Sequence, residues 1–253
     1  MKVIVFANHK GGVGKTTSTL SVAQNLARDG HRVLLLDCDA QRNLTLAFRL
    51  PAGYPDLGLV LEKKAELADI VLPVTDNLHV VAATPDLDYL EKMVGQQLGY
   101  ESILRKGLLP LQDHYDYCLI DTPPSLSALT YMALVACNAV FIPCQPEYFG
   151  YEGLNKLIQA CERVKDLYNP NLIIGGIFFT KYSSRYRKKL HHDVVALIGS
   201  KYADANLMMT TSIRENVSLA EAQIKKQSIY QWAPESNGAT DYDSLTHEIV
   251  ARV

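Results

Sequence analysis

Continuous apolar runs alternate along the whole chain with segments whose apolar positions recur every three to four residues. The continuous runs fall at 2–7, 32–37, 78–82, 116–121, 138–143, 172–179 and 206–210. Most are rich in Val, Ile and Leu, as strands covered on both faces are. Helical spacing marks 16–29, 57–71, 86–98, 100–112, 126–136, 151–167, 186–200, 215–223 and 241–252. This alternation predicts an α/β fold: a doubly wound, mostly parallel sheet with helices on both faces. No internal repeat, low-complexity tract or long linker interrupts it, so 1–253 reads as one domain. The least regular stretch is 49–77, with Pro51, Gly53, Pro55, Gly58 and Pro73.

The connection between the first strand and the first helix carries the chemistry. It reads His9-Lys10-Gly11-Gly12-Val13-Gly14-Lys15-Thr16-Thr17, where an ordinary phosphate loop reads G-x-x-x-x-G-K-[ST]. His9 stands in the place of the first glycine. Gly11, Gly12 and Gly14, with Val13 among them, leave the backbone free to wrap a polyphosphate. Lys15 and Thr16 keep the posts that meet the β/γ-phosphates and Mg²⁺. The helix that follows, with Thr17 in its first turn, points free N–H groups and a positive dipole end at the same place.

Two further strands end in acids. Asp37 and Asp39 follow the second, and the i, i+2 spacing sets both carboxylates on one side of an extended backbone. One can lean on a metal shell while the other meets an attacking water. The run Tyr117-Cys118-Leu119-Ile120-Asp121 places a third carboxylate where it can hold Mg²⁺ opposite Thr16.

With its second lysine, the loop resembles that of the ParA/MinD group of P-loop ATPases. That resemblance implies that Lys10 crosses to the nucleotide of a second subunit. Leu36-Asp37-Cys38-Asp39-Ala40-Gln41 is similar to the group's D-x-D-P-Q stretch, with Ala40 in place of proline. It implies that Asp39 positions the hydrolytic water and that Asp37 supports the metal. Asp121-Thr122-Pro123-Pro124-Ser125 matches the loop that senses the γ-phosphate. The blocks 143–154, 176–185 and 213–222 extend the likeness over nearly the whole chain. The last of these is closer to ParA/Soj partition ATPases than to MinD. The resemblance places Thr180, Arg214 and Asn216 near the adenine. It implies a slow ATPase that forms a homodimer with ATP and binds duplex DNA without sequence preference. It also implies a ParB-like or adaptor protein that stimulates hydrolysis, and a cytoplasmic, nucleoid-associated life.

Composition narrows this further. A net charge of −2 gives no global reason for nucleic-acid binding, so any such surface is local. Lys181, Arg185, Arg187, Lys188 and Lys189 put five cations in nine positions with no acid among them, and Lys201, Lys225 and Lys226 stand nearby. Such a patch suits phosphate-backbone binding, although a solvated helix face has the same composition. The resemblance aligns Arg185 with a DNA-binding arginine, but relatives often carry a further arginine where this chain has Glu215 or Ser218. The five cysteines form no C-x-x-C pair and read as reduced, buried thiols. No signal-peptide pattern precedes the first strand, no apolar run reaches ~20 residues, and the segment 241–253 lacks the basic face of a membrane anchor. No membrane is expected as a partner. An N-K-x-D string that would mark a small GTPase is absent, and the cysteines do not match those bridging a cluster in the nitrogenase iron protein. The pair His191-His192 reads as solvated. The competing class is a MinD-like or partner-recruiting switch that does not bind DNA.

Overall fold

The central strands are buried along almost their whole length, which is why they read as uninterrupted apolar runs. The computed structural model describes residues 1–147, 150–203 and 205–253, with 150–152 described by backbone alone. Tyr148 and Phe149 of the 143–154 block, and the side chain of Glu152, therefore lie outside the described residues. Strands β1 (Lys2–Phe6), β2 (Val33–Asp37), β3 (Leu72–Thr75), β4 (Leu78–Val81), β5 (Tyr117–Asp121), β6 (Ala139–Cys144) and β7 (Ile173–Phe179) form one sheet. Their order is β3-β4-β2-β5-β1-β6-β7. All neighbours run parallel except β3 and β4.

The helices are α1 (Lys15–Arg28), α2 (Asn43–Leu46), α3 (Leu57–Leu61), α4 (Leu87–Val94), α5 (Ile103–Leu108) and α6 (Ala128–Ala136), followed by α7 (Gly150–Leu167), α8 (Lys189–Lys201), α9 (Val217–Lys225), α10 (Ile229–Trp232) and α11 (Asn237–Val250). Successive residues of β1 face opposite sides of the sheet. Val3 and Val5 join a core with residues of α3 to α8, whereas Ile4 and Phe6 join one with residues of α1 and α11. In the second core the rings of Phe6, Phe141 and Phe178 meet at centroid distances of 6.2–6.3 Å. Burying each such ring stabilises the fold by roughly 1.5–3 kcal/mol.

Several expected elements are redrawn. Segment 206–210 is not a strand: it touches the β7 edge at a single bridge, Ile177 to Met208, before a second at Thr180 to Ile213. Asn206, at a left-handed φ of 49°, leaves the extended path there. The Arg252 guanidinium donates to the carbonyls of Gly175 (3.0 Å), Asn206 (3.4 Å) and Met208 (3.1 Å), and so fastens this segment to the β7 edge. Gly176 admits Met209 against the strand, because a Cβ there would lie 2.5 Å from Met209 Cγ.

The expected helix at 57–71 breaks after α3, where Lys63 takes a left-handed φ of 60°. It resumes only as a 3-10 turn over Leu67–Ile70, closed by a reciprocal Glu66–Asp69 capping box. Segment 100–112 likewise divides into α5 flanked by 3-10 turns, since Pro110 lacks the N–H that a continuous helix needs. Within the irregular 49–77 stretch, β3 is an edge strand that tolerates Pro73. Helix α10 was not signalled at all, and α11 begins four residues early, behind the Ser236 cap.

Arg252→Ala should expose those carbonyls and unpin the 206–209 segment from β7. We expect destabilisation of about 2 kcal/mol, which corresponds to a fall in Tm of about 4–8 °C. An unchanged melting curve would show that Arg252 does not hold this segment.

Candidate functional site

A cavity of about 800 Å³ opens at the C-terminal edge of the sheet, lined by the loop after β1, the first turn of α1, Asp39, Pro124 and the segment leading into α9. Small-molecule sites have this size, and this edge is where open α/β sheets hold ligands. The loop from β1 to α1 is held from behind. Asn8 Nδ2 donates to the Pro143 carbonyl (2.7 Å), Gln145 Nε2 to the Gly12 carbonyl (2.7 Å) and Thr180 Oγ1 to the Val13 carbonyl (2.8 Å). The carbonyls of Gly12 and Val13 are thus tied back, and the Val13 side chain is buried. Gly12 and Gly14 take φ of 72° and 93°, in the left-handed region.

Lys15 opens α1 and is only 6% exposed. Its ammonium donates to the Lys10 carbonyl at 3.2 Å. Burial pushes its pKa down, while the nearby Asp121 and Asp39 pull it up. Thr16 and Thr17 line the cavity beside it. Asp121 is fully buried, and neither of its carboxylate oxygens has a hydrogen-bond partner. Burial, with Asp37 paired to it in register on β2, raises its pKa well above the carboxylate range. The Thr16 hydroxyl lies close enough to ease that charge but is not placed to hydrogen-bond it.

One oxygen of Asp37 accepts from the Asp39 N–H (3.1 Å), and the other from the Thr45 N–H (2.8 Å) and hydroxyl (2.6 Å). Both oxygens take part in building the loop after β2, and Asp37 does not itself line the cavity. Burial raises its pKa to about 6, against the pull of the Thr45 bonds. Asp39, by contrast, lines the cavity and accepts from the Gln41 N–H at 3.0 Å.

The far end of the cavity contains Arg214 and Asn216. The Arg214 guanidinium is bidentate on Asp241, with contacts of 2.6–3.1 Å, and its own N–H donates to the same carboxylate. It shapes the rim through Asp241. Asn216 caps α9 by accepting from the Ser218 N–H (2.8 Å). Thr180 lines the cavity, but its hydroxyl serves the loop. Sequence reasoning missed several supports: Asn8, Gln145, Asp241, and Gln223, whose Nε2 donates to Thr17 Oγ1 at 3.1 Å. Gln145 stands inside the 143–154 block, so that block was the available signal. Asp241 and Gln223 carried none, because only folding brings them to the site.

The five cations Lys181, Arg185, Arg187, Lys188 and Lys189 are all exposed. Lys181, Arg185, Arg187 and Lys188 lie in the connection from β7 to α8 and Lys189 opens α8, so the helix expected from 186 begins three residues later. Lys181, at a left-handed φ of 51°, also lines the cavity and joins the two features. Tyr182 is buried against Phe179 and His192 and is not available for stacking. His192 is not freely solvated: Nε2 donates to the Tyr186 carbonyl (2.6 Å), which leaves Nδ1 to accept from the Tyr182 hydroxyl (3.2 Å). The neighbouring His191 Nδ1 is buried without a partner. Lys226 does not extend the patch freely, since it donates to the Phe48 carbonyl at 3.0 Å. All five cysteines are free and buried.

A glycine-rich loop between a parallel strand and a helix, with a buried lysine and a strand-end carboxylate beside it, defines the class of P-loop α/β proteins. Residues 1–174 match the family described as AAA domain. The chain is 40% identical to the chromosome-partitioning ATPase Soj of Treponema pallidum over 99% of this chain and 98% of that protein. Apo McdA from Cyanothece superposes with a TM-score of 0.88 at 22% identity, covering 99% of each chain, a likeness of fold. A cobyrinic acid a,c-diamide synthase from Mycobacterium smegmatis, solved with an ATP analogue and magnesium, gives a TM-score of 0.81 at 28% identity, covering 98% of this chain and 93% of that one. The chain belongs to the Soj/ParA family of chromosome-partitioning ATPases. Among the described residues, no helix is long and apolar enough to cross a membrane.

The unpartnered Asp121 carboxylate yields a stability test. Replacing a buried, unsolvated charge with a neutral group of the same shape removes its desolvation penalty. With no ligand present at pH 8, Asp121→Asn should therefore raise Tm by about 2–4 °C, equivalent to about 1 kcal/mol. A lower Tm would mean that its attraction for the buried Lys15 ammonium outweighs that penalty.

Proposed function

We propose that the chain binds ATP with Mg²⁺ in this cavity, dimerises with nucleotide at the interface, hydrolyses it, and binds duplex DNA without sequence preference as the dimer. The observation that carries this is the different placement of two lysines on one loop. Lys15 is enclosed beside the cavity, whereas Lys10 stands at its edge, 30% exposed, and does not line it. A lysine so placed suits the nucleotide of a second copy better than its own.

The residues present fit the bound groups. Among the described residues, the two buried oxygens of Asp121 have no hydrogen-bond partner and Lys15 donates to a carbonyl. Among the described residues no three His, Cys, Asp or Glu side chains gather to hold a metal by themselves. That suits Mg²⁺, which keeps several waters and takes one or two carboxylates together with substrate phosphates. When bound, Mg²⁺ neutralises phosphate charge and so lowers the barrier to displacement at the terminal phosphorus. Lys15 and the N–H groups of Gly11, Gly12, Val13 and Gly14 bind the phosphates, and Thr16 and Asp121 hold the metal. Thr17 and the rim built by Arg214 and Asn216 meet the rest of the nucleotide. Asp39 orients the attacking water, a role exerted mainly in the transition state.

The exposed loop carrying Arg185, Arg187, Lys188 and Lys189 begins at Lys181 on the cavity rim, so nucleotide and DNA act on adjacent segments. In a dimer two such loops neutralise more phosphates together, which raises affinity through effective concentration. The task is to segregate a chromosome or plasmid, or to place another cargo, over the nucleoid. A ParB-like or adaptor protein stimulates the slow hydrolysis.

The lysines separate in their expected behaviour. Lys15→Ala should weaken ATP binding by at least about 30-fold, as loss of a desolvated charge partner does. Lys10→Ala should retain ATP but lose ATP-dependent dimerisation, read by light scattering after gel filtration. A Lys10→Ala protein that dimerises like wild type would sink the sandwich reading.

DNA binding should need ATP and weaken steeply with salt. Reversing Arg185 and Arg187 to Glu should weaken binding to every duplex alike and flatten the log–log salt slope by about 0.9 for each DNA phosphate no longer neutralised. Tight binding by that variant, or equal binding without ATP, would favour a partner-recruiting switch in place of DNA binding by this loop.

A further inference from the structure

The ammonium of Lys10 forms an ion pair with Glu147, in the loop that leaves β6. Both side chains are partly exposed, at 30% and 53%. The backbone beneath Lys10 is not free to move with it. Its N–H donates to Asn8 Oδ1 (3.0 Å), and its carbonyl accepts from Lys15 Nζ (3.2 Å). Asn8 and Gly12 are in turn bonded to Pro143 and Gln145, in the same stretch that carries Glu147. The two loops are therefore fastened together, and Lys10 retains only the freedom of its four-carbon stem. Leaving Glu147 requires a swing of that stem and no refolding of the loop.

We propose that Glu147 is a positioning residue that holds Lys10 within its own subunit as a latch, which must open before Lys10 reaches a second subunit's nucleotide. The inference rests on the sandwich-dimer reading above. Glu147 then opposes dimerisation and sets the concentration at which nucleotide switches the protein from monomer to dimer. The carboxylate is not abandoned when Lys10 leaves. Lys181 and His191 lie close enough to contribute, after the Lys10 hydrogen bond, to holding the Glu147 pKa below its ordinary value. The opened latch thus retains cationic company at the start of the exposed basic loop.

The size of the effect follows from exposure and symmetry. A partly exposed ion pair contributes about 2- to 5-fold. A two-fold dimer opens one latch in each protomer, so removing both should tighten the dimer by about 4- to 25-fold.

The test uses the full chain with Mg²⁺ and a non-hydrolysable ATP analogue, measuring the dimer dissociation constant by sedimentation. Glu147→Gln keeps the shape of the side chain and removes its charge. It should tighten the dimer by the stated factor at low salt, and the gain should shrink at high salt, which screens the wild-type ion pair. Acylation of Lys10 by an amine-reactive reagent in the nucleotide-free monomer should also be faster in Glu147→Gln than in wild type. A Glu147→Gln dimer no tighter than wild type, or Lys10 acylated no faster in the variant, would overturn the latch while leaving the dimer reading intact. A wild-type protein that stays monomeric with the analogue would overturn the dimer reading and the latch with it.

Discussion

Two carboxylates stand in register at the ends of neighbouring parallel strands, one satisfied and the other not. Asp37 on β2 accepts three hydrogen bonds from its own loop, whereas Asp121 on β5 accepts none. The sheet holds them side by side because β2 and β5 are pinned by backbone bonds along their length and buried on both faces. Neither strand end can relax away from the repulsion. The low dielectric around them makes an unpaired charge expensive and makes a cation's arrival correspondingly favourable. The buried ammonium of Lys15 is held in the same field, its pKa lowered by burial and raised by the acids. The site is thus a charged arrangement left incomplete by the protein alone.

The glycine-rich loop shares this dependence on its surroundings. Left-handed glycines let it turn, but its shape is set by donors from the ends of β6 and β7, namely Gln145 and Thr180, with Asn8 reaching back to Pro143. Those two strand ends also lead into the segment with Glu147 and the segment with Lys181. A change at the loop is therefore mechanically adjacent to the ion pair of Lys10 and to the exposed basic stretch. Adjacency of this kind is what a nucleotide-dependent switch requires, since an equilibrium shifts only through groups that meet the ligand differently in its two states.

A shared fold does not decide the task. A diamide synthase superposes on this chain nearly as well as McdA does. The full-length likeness to Soj at 40% identity is what separates a partition ATPase from the diamide synthase of the same fold.

The sequence by itself determined the sheet, the loop and the helix behind it, because each rests on local signals. Strands buried on both faces must be continuous apolar runs, and a chain that wraps phosphate needs glycines in sequence. The same holds for Lys15, Thr16 and Asp121, whose posts follow from neighbours in the chain. Tertiary structure alone decided the rest. Asp37 was tied into the loop after β2 by Thr45, eight residues away and silent in the pattern. Segment 206–210 is fastened to β7 by Arg252, which reaches it across more than forty residues. The cations from Lys181 to Lys188 lie in a loop because α8 begins only at Lys189. The partners of Asp37 and of segment 206–210 are ones periodicity cannot foresee, since periodicity reports which face is apolar and not which polar group arrives there.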